Sequence, residues 1–318
     1  MFNQNLAGFF IKCTSIRSYQ SGFLIHLRSP IASLSSQIHQ IYLKTIYMKT
    51  TLYFSALIFL WLGFACQSPQ TTDQSLAADT VATVKGNPPA EGFNEASSDE
   101  AAIAIADQVM EAMGGRTSWD TTQFFSWNFF GARRLYWDKF TGDVRIDYLK
   151  SDLTAILNVN TMEGKVKKDG VEMTEADSLS KYLTEAKNAW INDGYWLFMP
   201  FKLKDSGVTL QLVGQDTVPG QGLADVLQLT FDQVGVTPQN KYLVYVDQDT
   251  HLVSQWAYFQ NAEEEEPRFV MPWLDYAPHG DLMLSGNRQV RQVSDIRVYD
   301  ALPPRVFNSL EPVDFQQL

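Results

Sequence analysis

The sequence predicts an α+β domain built mainly from antiparallel strands. Three observations support this fold class: about ten short runs rich in aromatic and β-branched residues, turn signals between them, and two segments with helical spacing. Strands and helices do not alternate, so the chain lacks the βαβ rhythm of a parallel sheet. Without an internal repeat or a second boundary, residues 99–318 are expected to form one domain.

The first predicted elements are a helix and an aromatic meander. The helix covers Asp99–Met113, where Ser98 or Asp99 can cap the start and Gly114-Gly115 ends it. Apolar and polar residues then alternate, so one face of the meander is expected to be apolar and the other in water. The four antiparallel strands of the meander are Phe124–Phe130, Arg133–Phe140, Val144–Leu149 and Leu153–Val159.

A second helix is predicted over Glu175–Ile191, and Asn192-Asp193-Gly194 is expected to stop it. The next segment, Tyr195–Phe201, is too apolar for an exposed loop, and its Pro200 does not fit a central strand. We therefore expect this segment to be buried. The later strands are predicted over Val208–Val213, Asp225–Phe231, Lys241–Asp247, Leu252–Gln260, Arg268–Tyr276, Leu282–Leu284 and Gln292–Tyr299.

The N-terminal part of the chain contains an export signal. A lysine precedes an apolar run of 14 residues, Leu52–Ala65. Such a run fits the core of a secretory signal peptide and is shorter than the ~20 apolar residues that span a bilayer. Gly63 and Ala65 place small side chains at positions −3 and −1 before Cys66, as cleavage requires. Residues 48–65 are therefore predicted to be a signal peptide.

Cys66 is the only cysteine after this signal, and its position indicates lipidation. The preceding residues resemble the bacterial lipoprotein signal, in which a small residue precedes the cysteine that receives acyl chains. This resemblance implies a lipid-anchored protein of the cell envelope, at the outer membrane, on its periplasmic face or at the surface. The alternative is ordinary cleavage after Ala65, which would leave a free N-terminal cysteine.

The residues before the signal contain no Asp or Glu, and their basic residues are Lys12, Arg17, Arg28 and Lys44. A signal peptide has to be N-terminal to be read, so Met48 is the expected start and residues 1–47 are a misassigned upstream extension. A basic transit sequence is the alternative. Under either interpretation, Cys13 and His26 carry no function.

Residues 66–98 are dominated by Gln, Thr, Ser, Ala, Asp and Pro, which cannot bury enough apolar surface to offset the entropy of ordering. They are predicted to be a disordered tether with a reach of roughly 30 Å. Without residues 1–65, the chain has 20 basic and 36 acidic residues and a net charge near −16. This charge opposes nonspecific binding to nucleic acid, so membrane attachment is expected through the acyl chains alone.

Three segments, WNFFGARRLYWDKFTGDVRI, YWLFMPFKLKDSGVTL and VDQDTHLV, resemble an uncharacterised family of lipoproteins from Bacteroidota, over roughly residues 99–308. The order of elements also resembles the lipoprotein-localisation factors of the LolA/LolB type. That resemblance implies a strongly curved, unclosed antiparallel half-barrel, with helices covering its concave face and a cavity for acyl chains. On this fold, Tyr195–Phe201 is expected to lie across the concave face and gate it. The soluble carrier of that pair is not lipidated, so a lipidated chain would resemble the membrane-bound acceptor.

Aromatic residues are abundant in the predicted strands and in Tyr195–Phe201, which favours an apolar cavity. A packed core beneath two helices has the same composition, so both interpretations stay open. The residues expected to line the cavity are Trp127, Phe129, Trp137, Ile146, Tyr148, Trp196, Phe198, Leu229, Phe231, Trp256 and Tyr258.

Catalytic motifs are weak, and neither an enzyme nor a metal or cofactor is expected. After the signal the chain has two histidines, His251 and His279, and no CxxC, HExxH, GxSxG or GxxxxGK[ST] motif. His251 follows Asp247 and Asp249, but a hairpin turn whose carboxylates bind local N–H groups explains this cluster better. The same interpretation applies at His279, and Glu263–Glu266 is predicted to be a solvated loop.

Three functions remain. The first is a cell-envelope lipoprotein that binds or carries a lipid, a lipoprotein or another apolar ligand. The second is a noncatalytic accessory module of an envelope complex, and the third is an extracytoplasmic hydrolase, for which no nucleophile–base pair is visible. Arg133 and Arg134 flank an aromatic strand, where one could meet a lipid phosphate; a cross-strand carboxylate such as Asp147 is the expected partner.

Cys66→Ala is expected to abolish labelling of the protein by radioactive palmitate, because the acylated thiol is removed. Cys13→Ala should keep the label, since Cys13 precedes the predicted signal. A retained label in Cys66→Ala would refute lipidation at this residue.

Overall fold

The computed structural model describes residues 86–232 and 234–318. Residues 1–47, the predicted signal peptide at 48–65 and Cys66 lie outside the described residues. The described chain confirms an α+β domain with a large antiparallel sheet. No helix in this part of the chain is long and apolar enough to cross a bilayer.

The helices are α1 (Glu100–Ala112), α2 (Gly115–Thr121), α3 (Ala176–Phe198) and α4 (Arg305–Asn308). Short 3-10 helices cover Glu95–Ser97, Met199–Lys202 and Phe315–Gln317. The sequence predicts α1 but places only a stop at Gly114-Gly115, where α2 begins. Gly114 has a φ of 110°, and a Cβ there would lie 2.1 Å from the carbonyl oxygen of Asp281. Only glycine allows this turn and this close approach.

The strands are β1 (Phe124–Phe129), β2 (Arg133–Asp138), β3 (Asp143–Tyr148), β4 (Leu153–Asn158), β5 (Gly164–Lys168), β6 (Val171–Glu172), β7 (Val208–Val218), β8 (Gly222–Phe231), β9 (Lys241–Asp247), β10 (Val253–Phe259), β11 (Phe269–Pro272), β12 (Ala277–His279), β13 (Leu282–Leu284), β14 (Asn287–Arg288) and β15 (Arg291–Tyr299). The described residues thus form fifteen strands, whereas the sequence predicts about ten. The additional strands β5, β6, β12 and β14 have five residues or fewer, too few to show an alternating pattern.

Three sheets contain these strands. The first has eight strands in the order β14-β15-β1-β2-β3-β4-β5-β6, the second has five in the order β11-β10-β9-β8-β7, and the third pairs β12 with β13. The predicted four-stranded meander is confirmed as antiparallel β1 to β4. Because β1 also pairs with β15, the first and last long strands of the domain are neighbours.

One hydrophobic core joins the two large sheets. Apolar residues from both sheets and from α1 and α3 belong to it, among them Trp127, Leu157, Leu229 and Trp256. These side chains occupy alternate positions on their strands, which is the pattern that the sequence shows. The two large sheets and the helices therefore bury one shared apolar layer.

Helix α3 continues past the predicted stop at Asn192-Asp193-Gly194 and ends only at Phe198. The prediction of a helix end at Ile191 is wrong. Glycine in a helix interior costs about 1 kcal/mol relative to alanine, but tertiary contacts offset it here. Asp193 is fully buried and bound by Arg133, and Leu197 and Phe198 are buried in the core.

The described part of the predicted tether, residues 86–98, is held against the folded domain through residues 90–98. The Ala90 and Asn94 amides donate to the carbonyl oxygens of Lys204 and Val208, at 2.9 and 3.0 Å. The amide of Leu210 donates to the Ser98 hydroxyl, so this segment covers the first half of the β7 edge. The ordered domain therefore begins before residue 99, because strand β7 offers hydrogen-bonding groups that polar residues can satisfy.

The outer face of the first sheet, expected to lie in water, is partly covered by residues 300–318, called the C-terminal strap. Tyr136 on this face is fully buried by Leu302, Val306 and Phe315 of the strap. The ring of Phe315 lies between two guanidinium groups, those of Arg134 and Arg297, each 3.8 Å from its centroid. A second, smaller core thus forms on the polar side of the sheet.

Arg145 fixes the strap to β3. Its side chain is 0% exposed; Nη1 donates to the carbonyl oxygen of Ser309 at 2.7 Å, and Nη2 donates to that of Glu311 at 2.9 Å. Its Nε pairs with Asp147 at 2.9 Å. Asp147 is therefore occupied, and Arg134 instead pairs at 2.6 Å with Asp295, which lies at a bulge of β15. The expectation that Asp147 would be the partner of Arg133 or Arg134 is wrong, because Arg133 pairs with Asp193.

Replacing Arg145 with methionine is expected to destabilise the domain by roughly 3 kcal/mol, because buried strap carbonyls lose a charged donor. Hydrogen exchange of the amides at residues 306–315 should speed up well before global unfolding. Arg305→Met, an exposed change within the strap, serves as the control and should leave both measurements unaltered. Unchanged exchange in Arg145→Met would contradict this role.

Candidate functional site

The eleven residues predicted to line a cavity come together in one region. Ten of them belong to the shared core or pack against it, and Tyr258 stacks on Phe269 of the same core at a centroid distance of 5.0 Å. Six are buried: Trp127, Phe129, Ile146, Phe198, Leu229 and Trp256. Five are half-buried: Trp137, Tyr148, Trp196, Phe231 and Tyr258. That they contact a ligand stays a prediction.

Part of this region is a packed core centred on Phe198. Its ring lies 4.9 Å from Phe125, 5.4 Å from Trp127 and 5.6 Å from Trp137, measured between centroids. Edge-to-face and tilted contacts at these distances are typical of aromatic cores. Around Phe198, the packed-core interpretation of the aromatic surplus therefore applies.

A second group of rings lies between the end of α3 and the inner face of the second sheet. Trp196 lies 5.0 Å from Trp256 and 5.5 Å from Phe269, and Tyr242 stacks on Trp256 at 5.3 Å. Only Trp256 is fully buried; the other rings are half-buried. This group is called the aromatic cluster and consists of Tyr195, Trp196, Phe231, Tyr242, Trp256, Tyr258 and Phe269.

The segment Tyr195–Phe201 forms the last turn of α3 and most of the following 3-10 helix. Its predicted burial is confirmed at Leu197 to Phe201, and Pro200 opens the 3-10 helix instead of interrupting a strand. Trp196 also touches Phe130, at 5.1 Å, so the segment bridges both sheets. A gating movement of this segment stays a prediction.

Several polar atoms near the cluster are buried donors. The Tyr195 hydroxyl and the indole N–H groups of Trp256 and Trp273 have no hydrogen-bond partner within the described chain. Burial raises the pKa of Tyr195 well above its usual value, and it raises the pKa of Tyr242 as well, so both keep their protons at neutral pH. Buried donors in native proteins are normally satisfied, so these groups are suited to an oxygen acceptor brought by water or a ligand.

The position of α3 depends on a buried ion pair. Nε and Nη2 of Arg133 donate to the two carboxylate oxygens of Asp193 at 2.6 and 2.8 Å. Burial raises the pKa of Asp193, while the hydrogen bonds and charge of Arg133 act against this rise. Arg133 of β2 therefore binds a protein carboxylate. Because Asp193 lies three residues before Trp196, this pair fixes the end of α3 on β2.

A buried arginine holds the other side of the cluster. Arg288 is 0% exposed and its guanidinium carbon lies 3.4 Å from the ring centroid of Trp273. Its Nη2 donates to the carbonyl oxygen of Trp196 at 2.9 Å, near the end of α3, where helix carbonyls lack partners and the dipole favours a cation. Burial lowers the pKa of Arg288 to about 9. Sequence reasoning missed this residue, because most of its acceptors are backbone oxygens.

Sequence reasoning also missed Tyr242 and Phe269. Tyr242, Val244 and Val246 occupy every second position of β9 and therefore share one face. This pattern predicts that Tyr242 points inward. Phe269 begins the short strand β11, and its partner across the sheet is Tyr258. Cross-strand pairing with a predicted cavity residue is what brings it into the cluster.

The carboxylates of the turn before His251 and of the Glu263–Glu266 loop have local roles. Asp247 accepts hydrogen bonds from the amide and hydroxyl of Thr250, at 2.8 and 2.7 Å, which confirms the hairpin turn before His251. Glu264 pairs with Arg268 at 2.6 Å in a mostly exposed loop. Within residues 86–232 and 234–318, no group of three or more His, Cys, Asp or Glu side chains is arranged to hold a metal ion.

A groove of about 330 Å³ lies on the other face of β10 and β11. Gln255, Val270 and Pro272 line it together with the turn at Pro219. None of the eleven predicted cavity residues contributes to this groove. The four predicted residues that belong to the second sheet therefore lie on the face opposite to this groove; they are Leu229, Phe231, Trp256 and Tyr258.

Asp193→Asn is expected to destabilise the domain by roughly 3 kcal/mol, because Arg133 keeps its charge in a mostly buried position without a carboxylate. Chemical denaturation measures this change. Glu185→Gln, an exposed charge removal on the same helix, should cost less than about 0.5 kcal/mol. Equal stability of the two variants would contradict the importance of the pair.

No family model matches the chain, and no curated protein matches it. Among solved structures, the chain is similar to a DUF1329 family protein from Desulfovibrio piger, with a TM-score of 0.38 and 13% identity, over 65% of this chain and 96% of that chain. It is also similar to MucB in complex with MucA(peri), with a TM-score of 0.21 and 18% identity, over 64% and 66% of the two chains. A Pseudomonas aeruginosa MucA/MucB complex gives a TM-score of 0.21 and 19% identity, over 63% and 67%. These likenesses name no family, so the resemblance to Bacteroidota lipoproteins and to LolA/LolB stays a prediction.

Proposed function

We propose that the domain binds an acylated or otherwise apolar ligand against the aromatic cluster between its two large sheets. One observation carries this proposal: six of the seven rings of the cluster stay half-buried although they face inward. In the neighbouring core around Phe198, by contrast, Phe125, Trp127 and Phe198 itself are fully buried.

A ligand would gain free energy from the remaining exposed ring surface. Each square ångström of apolar surface removed from water contributes about 25 cal/mol. Binding sites for small molecules combine such surface with a few polar groups, and the Tyr195 hydroxyl and the Trp256 indole N–H are donors of this kind. An ester or amide carbonyl of an acyl chain provides the matching acceptor.

The cellular setting completes the proposal. Acyl chains on Cys66 hold the protein at the envelope, and the domain works as a noncatalytic carrier or acceptor. The two large sheets together are the walls of an open half-barrel, whose inner face is covered by α1 and α3 and contains the ligand. The antiparallel pairing and the inward position of both helices support this arrangement.

The second candidate function is an accessory module that binds a partner protein. One observation favours it: beyond Leu212, strand β7 pairs with β8 alone within the described residues, and Gly214 to Thr217 are exposed. An open strand edge can accept an added strand from another chain.

Native mass spectrometry of protein purified without detergent is expected to show a co-purifying lipid. In a titration with a neutral fluorescent acyl probe, Trp196→Leu should weaken binding about tenfold, corresponding to ~1.4 kcal/mol of lost contact. Trp190→Leu, a half-buried change on the same helix outside the cluster, should bind within twofold of the unaltered protein.

Equal losses in the two variants would contradict the placement of the ligand. A protein that is consistently empty and that binds no acyl probe would favour the accessory module instead.

A further inference from the structure

Two arginines face each other at the edge of the aromatic cluster. Arg288 of β14 and Arg291 of β15 are direct cross-strand partners in a hairpin. Side chains of opposite residues leave the same face, with Cβ atoms about 4.5–5.5 Å apart, and like charges at this distance destabilise the pair. The hairpin therefore places two arginines as direct neighbours on one face.

Neither charge is neutralised by the described chain. Within residues 86–232 and 234–318, Arg288 and Arg291 form no salt bridge, although the protein carries a formal net charge of −11. Carboxylate partners are found for other arginines, namely Arg116, Arg133, Arg134, Arg145 and Arg268. Arg297 and Arg305 also form no salt bridge in the described chain, but of these four arginines only Arg288 and Arg291 are cross-strand neighbours.

Most N–H groups of the Arg288 guanidinium donate hydrogen bonds within the protein. Its Nη1 donates to the Ser285 hydroxyl and the Asn287 carbonyl oxygen, and its Nη2 donates to the carbonyl oxygens of Ser285 and Trp196, all at 2.9 to 3.0 Å. Its Nε is buried and has no partner in the described chain. These contacts hold the guanidinium rigidly and leave one N–H group for an acceptor outside the protein.

Arg291 is exposed, and its guanidinium carbon lies 5.2 Å from the ring centroid of Phe130. Phe130 in turn lies 5.1 Å from Trp196. Phe130 has a φ of 55°, a left-handed conformation that is unusual for a bulky residue and that persists only where contacts fix it. The strained turn thus places an aromatic ring between the free arginine and the cluster.

We infer that Arg288 and Arg291 form the anion-binding end of the ligand site, where the carboxylate or phosphate head group of an amphiphile lies beside the Arg288 Nε–H and the Arg291 guanidinium, with its apolar chain over Trp196. This inference rests on the proposed function and specifies its ligand as an anionic amphiphile. Charge-assisted hydrogen bonds to guanidinium are about twice as strong as neutral ones, so the head group adds affinity to the apolar contacts.

The test compares three probes of equal chain length: a fatty acid, an alkyl phosphate and a neutral fatty alcohol, each titrated against the full chain. Arg291→Gln is expected to weaken binding of the acid or the phosphate at least tenfold, and to change binding of the alcohol less than twofold. Arg291→Lys should recover part of the loss. Arg305→Gln, which removes an exposed charge elsewhere, should bind all three probes normally.

The head group is a carboxylate if Arg291→Gln weakens binding of the fatty acid more, and a phosphate if it weakens binding of the alkyl phosphate more. If the probes bind but Arg291→Gln weakens all of them alike, or none, the inference is overturned while the proposed function stands. If no probe binds the unaltered protein, both are overturned. Unfolding temperatures of Arg291→Gln and the unaltered protein should agree, since the side chain is exposed.

Discussion

The end of α3 is the constraint on which the rest of this domain depends. Trp196 must contact both large sheets while its carbonyl oxygen accepts from Arg288 and the preceding turn holds Asp193 against Arg133. A change of helix register would break all of these contacts at once, because they lie on different sides of one turn. The two sheets are consequently positioned through the helix between them, and the aromatic cluster takes its geometry from this turn.

Arginine has two structural uses in this protein. Arg133 and Arg134 bind carboxylates, whereas Arg145 and Arg288 satisfy most of their donors with backbone carbonyl oxygens. A guanidinium group can serve several carbonyls at once because its donors form a rigid planar fork. Buried arginines therefore tie segments outside the strands to the sheets, such as the C-terminal strap and the chain around Ser285.

The sequence predicted what depends on local patterns. Alternation predicts the meander and the strand Lys241–Asp247, and the sequence also predicts the inward position of four rings of the aromatic cluster, Trp196, Phe231, Trp256 and Tyr258. The helix end at Ile191 was wrong because the partner of Asp193 lies sixty residues away in the sequence. The sequence did not predict the roles of Arg145 and Arg288, because they bind backbone carbonyl oxygens, which every residue has. Local pattern thus identified the apolar face, and only the tertiary structure separated its packed core from its half-buried rings.

The pairing of β1 with β15 also affects how the chain acquires its fold. The edge of β1 stays open until nearly the whole domain exists, because its neighbour is the last long strand. Contacts between distant parts of a chain form slowly and leave strand edges exposed in the meantime. A nascent chain of this kind remains incomplete for most of its synthesis, a delay that would suit the export predicted from residues 48–65.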